Sequence, residues 1–167
     1  MKHVCLVVAF FLFFSAKAQS QGYQLHGVYM YSFTKYVQWP DDANQGDFEI
    51  HVLGDSPILN ELNELSKKKK VGERPIKVTR LAAITDIKKC NILFIPAEKS
   101  AQIADVIMKV GANATLIVTE QAGLGAKGSS INFIDRDGKL AFEINQAALT
   151  KQRLKASNEL MRFGIVI

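Results

Sequence analysis

Apolar and polar residues alternate along this chain with two different periodicities. Between residues 22 and 38, apolar side chains recur every three or four positions, which predicts an amphipathic helix closed by Pro40. From 48 to 53 apolar and polar residues alternate, which predicts a half-buried strand. The stretches 92–95 and 115–119 are mainly apolar, as in buried central strands. Helical and strand patterns therefore alternate along the chain, which is typical of an α/β fold.

Further elements follow from the same patterns. Ser56 is placed to cap a second helix beginning at Pro57, because serine suits the N-cap and proline suits the first helical position. The other elements predicted before residue 115 are a strand at 76–80, a short helical segment at 84–88 and a helix at 98–110. This β-α-β order predicts a largely parallel sheet with helices on both faces.

The pattern changes after the last of these strands. Strands at 131–134 and 139–144 flank the strong turn sequence Asp-Arg-Asp-Gly at 135–138, which predicts an antiparallel hairpin. Because the strands before it are predicted to be parallel, the hairpin is expected at the edge of the sheet. We therefore predict a three-layer α/β/α sandwich with a mixed, mostly parallel sheet and an antiparallel edge hairpin.

The last segment of the chain carries a helical pattern. From Gln146 the chain is expected to be helical to about Met161, with Ser157 or Asn158 as a cap where the helix breaks. No linker, repeat or low-complexity stretch divides the sequence. Residues 19–167 are therefore expected to form a single domain, and that length is sufficient to bury one packed core.

The first 18 residues have the composition of an export signal. Lys2 and His3 precede the uninterrupted apolar run 4–14, and Ala-Lys-Ala at 16–18 provides a small-x-small cleavage site. The run is shorter than the roughly 20 residues that a membrane-spanning helix needs. We therefore predict a cleavable signal peptide over residues 1–18 and an exported protein. Export argues against nucleic acid, ATP and nicotinamide cofactors as ligands, and no cofactor is predicted.

Charge and cysteine content add little chemistry. The formal charge of +5 falls to +3 when the two lysines of the leader are removed, which is too mild to indicate a polyanionic partner. Removing the leader also removes Cys5 and leaves Cys90, so no intramolecular disulfide is expected. Cys90 precedes the apolar stretch 92–95, and a buried thiol is the favoured interpretation.

One motif suggests an enzyme. The sequence Leu-Gly-Asp-Ser at 53–56 resembles the nucleophile block of GDSL-type esterases, in which Ser56 would attack an ester. That chemistry needs a base, and after the leader the chain offers only His26 and His51, far from the C-terminal region where that family carries its histidine. The alternative interpretation is that Asp55 or Ser56 caps the second helix. No Cys, His and carboxylate cluster has the spacing of a metal site, so none is predicted.

Three sequence blocks, taken together in their order and spacing, are shared with a known family. The first ends in a Trp-Pro pair, the second spans the Gly-Asp-Ser-Pro turn and a following strand, and the third covers the hairpin and the last segment. With these blocks the chain resembles the YfiR-like periplasmic proteins over nearly all of residues 22–163. The blocks are 29–40, then 52–57 with 72–78 and the apolar strand after Cys90, then 131–133, 142–145 and 154–157.

The resemblance implies an α/β protein that is periplasmic, often a homodimer, and not an enzyme. In the founding system the YfiR protein binds the periplasmic domain of an inner-membrane diguanylate cyclase and represses it, so that its release raises cyclic-di-GMP and promotes biofilm. Other members accompany membrane sensors such as histidine kinases. The founding member carries disulfides that make its activity redox-sensitive, and a mature chain with Cys90 alone cannot reproduce that control.

We therefore expect an exported, non-enzymatic regulator that binds the periplasmic domain of a membrane signalling protein. It is expected to modulate the output of that protein by repressing it. Two alternatives remain open. One is a secreted GDSL-like hydrolase that uses Ser56, and the other is a stand-alone protein that binds a small molecule. A small ligand is also compatible with the regulatory interpretation.

Two sets of residues are candidates for binding. The first helix carries more aromatic rings than one face can bury, so an exposed aromatic patch could contact a partner. The candidates for that contact are Tyr29, Phe33, Lys35 and Trp39.

Polar residues in or beside the shared blocks form the second set, which could line a small-ligand cleft. The alternative is that these side chains satisfy backbone groups at strand ends. The set comprises Arg74, Glu120, Asn132, Glu143 and Asn145.

Overall fold

The computed structural model describes residues 23–167. The predicted signal peptide at 1–18 lies outside the described residues. Within them, no helix is long and apolar enough to cross a membrane. The described α-helices are α1 (23–36), α2 (Ile58–Lys68), α3 (Ile103–Val110), α4 (Gln146–Lys151) and α5 (Asn158–Phe163).

The strands of the described chain form one large sheet and one two-stranded ribbon. The large sheet has the order β10-β8-β7-β6-β5-β2-β4-β3, and β1 pairs with β9 in the ribbon. The strands are β1 (Val37–Gln38), β2 (Phe48–Leu53), β3 (Lys70–Val71), β4 (Arg74–Leu81), β5 (Ile92–Ile95), β6 (Leu116–Thr119), β7 (Ile131–Arg136), β8 (Lys139–Ile144), β9 (Lys155–Ala156) and β10 (Ile165–Val166).

The predicted α/β class with a mostly parallel sheet is confirmed. Strands β4, β2, β5, β6 and β7 run parallel to one another, whereas β7 and β8 form the predicted antiparallel hairpin and β3 pairs antiparallel with β4. Strands β2 and β5 have the bounds that the sequence pattern predicts. Beyond the prediction, β10 pairs in parallel with the outer strand of the hairpin.

Two hydrophobic clusters lie on the two faces of the sheet and make three layers. Neighbouring residues of a strand face opposite sides, and on β5 Phe94 belongs to the first cluster while Leu93 belongs to the second. Helix α2 contributes Leu62 to the first cluster, whereas α3 contributes Val106 to the second. The first cluster also receives Phe33 of α1, so α1 and α2 cover one face and α3 covers the other.

The strand order reverses its direction of growth between β2 and β5. From β2 the chain passes through α2 to β4 on one side, and from β5 it passes through α3 to β6 on the other side. In parallel α/β sheets the carboxyl ends of the two strands at such a reversal border a crevice that binds ligands. The carboxyl edge of β2, β5 and β6 is therefore the first place to look for a site.

The helix predicted from Gln146 to about Met161, with a break near Ser157 or Asn158, ends earlier than predicted, at Lys151. The chain leaves α4 through Arg153, whose backbone takes a positive φ of 56° that a helix cannot accommodate. The Gln152 side chain donates to Gly111 O at 2.6 Å, and β9 then pairs with β1. Helix α5 begins afresh with Ser157 as its N-cap, one of the two residues expected to cap a break.

Candidate binding site

The carboxyl edge of the central strands is extended by the hairpin. Strand β7 pairs with only the last two residues of β6, Val118 with Ile131 and Thr119 with Asn132, and then continues beyond them. The first turns of α1 lie across the projecting hairpin, and the His26 and Phe133 rings meet edge to face with centroids 4.4 Å apart. Helix, sheet edge and hairpin thus enclose three sides of a recess.

This recess is an open cleft of about 770 Å³. Its volume lies within the range of small-molecule sites, which are mostly apolar with a few polar groups. The apolar lining consists of Leu25, Val28, Phe133, Ile134 and Leu140, and the polar side chains are Gln24, His26, Glu120 and Asp135.

Glu120 is the polar centre of the cleft. Its carboxylate follows the end of β6, and its side chain is only 7 % exposed. Oε1 accepts hydrogen bonds from the Tyr23 hydroxyl at 3.2 Å and from the Ala97 backbone N–H at 3.1 Å. His26 Nε2 lies 3.7 Å from Oε2. Burial raises the pKa of the Glu120 carboxyl because its charged form loses hydration, although the Ala97 and Tyr23 bonds oppose this effect.

Tyr23 and His26 are brought to this carboxylate by helical geometry. They are three residues apart on α1, so they share one side of the helix, and their rings stack with centroids 5.1 Å apart. Burial, reinforced by the Glu120 charge, raises the pKa of Tyr23 to about 12, so the phenol keeps its proton as a donor. The cleft therefore presents a poorly hydrated carboxylate among aromatic rings.

Ser56, the candidate nucleophile, also lies at the carboxyl edge, following β2. Its side chain is mostly buried, and its hydroxyl accepts from the Ile58 N–H at 3.4 Å. Asp55 forms an ion pair with Arg80, with Nη2 and Oδ2 2.8 Å apart. The Ser56 contact agrees with the capping interpretation of the block, whereas Asp55 is engaged by Arg80.

Gly54 in the same block is a position that requires glycine. Its backbone φ is +84°, a conformation that residues with a Cβ rarely adopt. A Cβ there would also lie 2.9 Å from Lys99 Cε. The resemblance of 53–56 to a nucleophile block is thus accounted for by a tight turn that leads from β2 into α2.

Arg74, predicted for the same cleft as Glu120, lies at the opposite edge of the sheet. It begins β4, and its guanidinium lies over the Phe48 ring at 5.2 Å. It donates to Gly46 O at 2.8 Å, to Asp47 O at 2.7 Å and to Asn91 Oδ1 at 3.1 Å. Arg74 therefore holds the 44–47 loop in place and cannot reach the cleft that contains Glu120.

Asn132, Glu143 and Asn145 form a separate polar cluster. Asn132 Nδ2 donates to Glu143 Oε2 at 2.9 Å, and Asn145 caps α4 by accepting from the Ala148 N–H at 2.9 Å. Asn132 neighbours Phe133 along β7, so the two side chains face opposite sides of the sheet. Of the five residues predicted for one cleft, Glu120 alone lies in the recess beside α1.

The predicted partner contacts on the first helix are mostly interior. Phe33 is fully buried, and Trp39 is buried with its Nε1 donating to Asn91 O at 3.2 Å. Tyr29 is half-buried and packs against the Phe142 ring with centroids 5.4 Å apart. Lys35 is exposed, with its ammonium 4.8 Å from the centre of the Tyr31 ring. The solvent-facing apolar residues on α1 are instead Leu25 and Val28.

Tyr23 and His26 were not predicted as site residues. A signal existed in their spacing of three on a helix, but nothing in the sequence indicated that this face meets Glu120. Among the described residues, no group of three or more His, Cys, Asp or Glu is arranged to hold a metal. Cys90 is buried, and this burial raises the pKa of its thiol to about 12.

Comparison with known proteins identifies a match to one protein family. A family model described as YfiR/HmsC-like matches residues 23–164, which is most of the chain and includes every element of the cleft. A search of curated proteins finds no match.

Proposed function

The chain belongs to the YfiR/HmsC-like family, and on that premise we propose that it is an exported, non-enzymatic regulator of a membrane signalling protein. It would bind the periplasmic domain of a diguanylate cyclase or a histidine kinase and repress its output. The family match over residues 23–164 is the observation that carries this proposal. Such control requires different affinities for the active and inactive states of the partner.

The outer face of α1 is the surface that we propose for the partner. Phe33 and Trp39 are committed to the core, so of the residues first considered Lys35 is the one fully available. Leu25 and Val28 lie on the same helix and are 52 % and 60 % exposed. Two exposed aliphatic side chains three residues apart on one helix form a contiguous apolar patch, the feature that supports a protein contact here.

We also propose a homodimer, in keeping with the family resemblance. The two-residue strand β10 lies at one end of the sheet, where its outer edge has backbone groups free to pair. Phe163, 74 % exposed, and Val166, 44 % exposed, lie beside this edge. Pairing of two such edges would cover both the backbone groups and the apolar side chains.

The regulatory proposal is tested by crosslinking in the native cells. A tagged chain is crosslinked, and the proteins recovered from the membrane fraction are identified by mass spectrometry. One membrane protein with a cytosolic cyclase or kinase domain should be recovered, and its yield should fall with Lys35→Glu. Lys109→Glu on α3, an exposed site on the other face of the sheet, is the matched control and should leave the yield unchanged.

Two outcomes would overturn the proposal. The first is recovery of the chain alone under conditions in which a known periplasmic complex of the same cells is captured. The second is a gene deletion that leaves the activity of every candidate cyclase and kinase unchanged.

A further inference from the structure

Among the described residues that line the cleft beside α1, Glu120 and Asp135 are acidic and His26 is the one basic side chain. Glu120 lies at its centre and Asp135 at its hairpin wall, and Glu98 is close enough to raise the pKa of Glu120. Of the described residues that line the cleft, none is lysine or arginine. A bound anion would therefore meet like charge, and a bound cation would meet opposite charge in a partly dehydrated setting where attraction is stronger than in water.

The remainder of the lining suits an apolar body. The Phe133 ring and the aliphatic Leu25 and Leu140 side chains border the cleft, and the His26 ring meets Phe133 edge to face. Aromatic faces attract ammonium and guanidinium groups as well as apolar groups. One ligand with both parts would thus be complementary to the whole recess.

We propose that this cleft binds a small organic cation, a primary amine or guanidine carried on an apolar body, with the charged group beside Glu120. The ammonium lies beside Glu120 Oε2, the carboxylate oxygen that does not accept from Tyr23 or Ala97, and the apolar part lies against Phe133 and Leu140. This site goes beyond the proposed partner binding and does not depend on it, because it is defined by the cleft of the isolated chain.

The affinity should depend on pH in a direction set by the surrounding groups. Burial raises the pKa of the Glu120 carboxyl, and a cation beside it restores the charged form. The titratable groups that face it are Tyr23 and His26 from α1, Glu98 from the turn after β5, and Asp135 from β7. Tyr23 stays neutral. Protonation of any of the other groups makes the cleft more positive. The amine should therefore bind more weakly as pH falls.

Three probes of similar shape test the charge preference. Phenethylamine, 2-phenylethanol and 3-phenylpropanoate differ mainly in charge, and each is titrated into the purified protein by calorimetry and by thermal shift. Phenethylamine should bind saturably and at least about tenfold more tightly than the alcohol, which corresponds to about 1.4 kcal/mol. The anion should bind more weakly than the alcohol.

Two pairs of variants locate the binding. Glu120→Gln keeps an acceptor for Tyr23 and Ala97 but removes the charge, and it should weaken amine binding about tenfold, whereas exposed Glu64→Gln on α2 should leave it unchanged. Leu25→Lys adds a positive charge at the exposed rim and should weaken binding about threefold. Met108→Lys, also exposed but on α3, is its control.

The proposal is overturned if the folded protein binds no amine, or if it binds the amine and the alcohol equally well. It is also overturned if neither Glu120→Gln nor Leu25→Lys weakens binding more than its control. Because Leu25 is exposed, Leu25→Lys should fold even if Glu120→Gln does not. None of these outcomes depends on the membrane partner, so a failure here and a failure of crosslinking are distinguishable.

Discussion

Arg74 is a single residue whose side chain organises a loop. Its guanidinium donates to the backbone oxygens of Gly46 and Asp47 and to Asn91, so Arg74→Lys, which lacks the planar fork, should lose most of these bonds. We expect a decrease of about 1–3 kcal/mol in the free energy of unfolding, measured in urea. Arg80→Lys on the same strand disturbs only the exposed pair with Asp55 and should lower the free energy of unfolding much less than Arg74→Lys. Equal losses would contradict the assignment.

The burial of Glu120 leads us to expect that the stability of the protein depends on pH through this one carboxyl group. Its folded-state pKa is raised, so its contribution to stability is full below the unfolded pKa and is lost as pH rises through the folded pKa. Glu120→Gln removes this loss, and its Tm relative to the natural protein should rise between pH 4 and pH 7. Glu64→Gln should show the opposite trend, because Lys67 lowers the pKa of Glu64. A pH-independent difference for Glu120→Gln would refute the argument.

At the scale of elements, α5 depends on its cap. The Ser157 hydroxyl accepts from the Leu160 N–H at 3.2 Å, and Ser157→Ala leaves that donor unpaired. We expect a loss of about 1 kcal/mol in urea unfolding. The control is Ser32→Ala in α1, whose hydroxyl only donates back to Val28 O and should be nearly neutral. A loss for Ser32→Ala as large as that for Ser157→Ala would mean that the cap is not the cause.

Elements with long patterns could be predicted from the sequence, and short ones could not. The six residues of β2 and the four of β5 carry their own alternation or apolar run, and both were predicted with their observed bounds. Strands β1, β3, β9 and β10 have two residues each, too few to show a period. Leu149, Leu154 and Leu160 are buried in one core cluster, although they lie in α4, before β9 and in α5, so burial of this segment does not require one continuous helix.

At the scale of the whole molecule, the dimer proposal gives a matched pair of tests. Phe163 and Met108 are both 74 % exposed, but Phe163 lies beside the free edge at β10 and Met108 lies on α3. The natural protein and Met108→Asp should elute as dimers in light-scattering chromatography, whereas Phe163→Asp should be a monomer. A natural protein that is monomeric at all concentrations would end the proposal. Loss of the dimer in both variants would place the interface elsewhere.

The site, too, could be predicted only in part, for reasons of tertiary structure. Glu120 was predicted as a cleft residue, and the fold places it after β6 in the lining of the cleft beside α1. Tyr23 reaches it across 97 positions of sequence, a distance that no local pattern encodes. Arg74 was grouped with Glu120 as a polar residue in or beside the shared blocks. Arg74 is the first residue of β4, however, so it lies at the opposite edge of the sheet from Glu120.

The first helix is synthesised long before the sheet strands that it packs against. The Phe33 ring contacts Phe133 and Phe142, and the Ser157 N–H donates to Tyr36 O, so α1 is held by residues from the last quarter of the chain. Contacts so distant in sequence form late, because a long loop must close first. A nascent chain that ends before β7 would therefore lack the hairpin residues against which the aromatic side chains of α1 pack, and these side chains would be exposed. We expect such an incomplete chain to bind a holding chaperone. It should dissociate from the chaperone when the completed polypeptide folds.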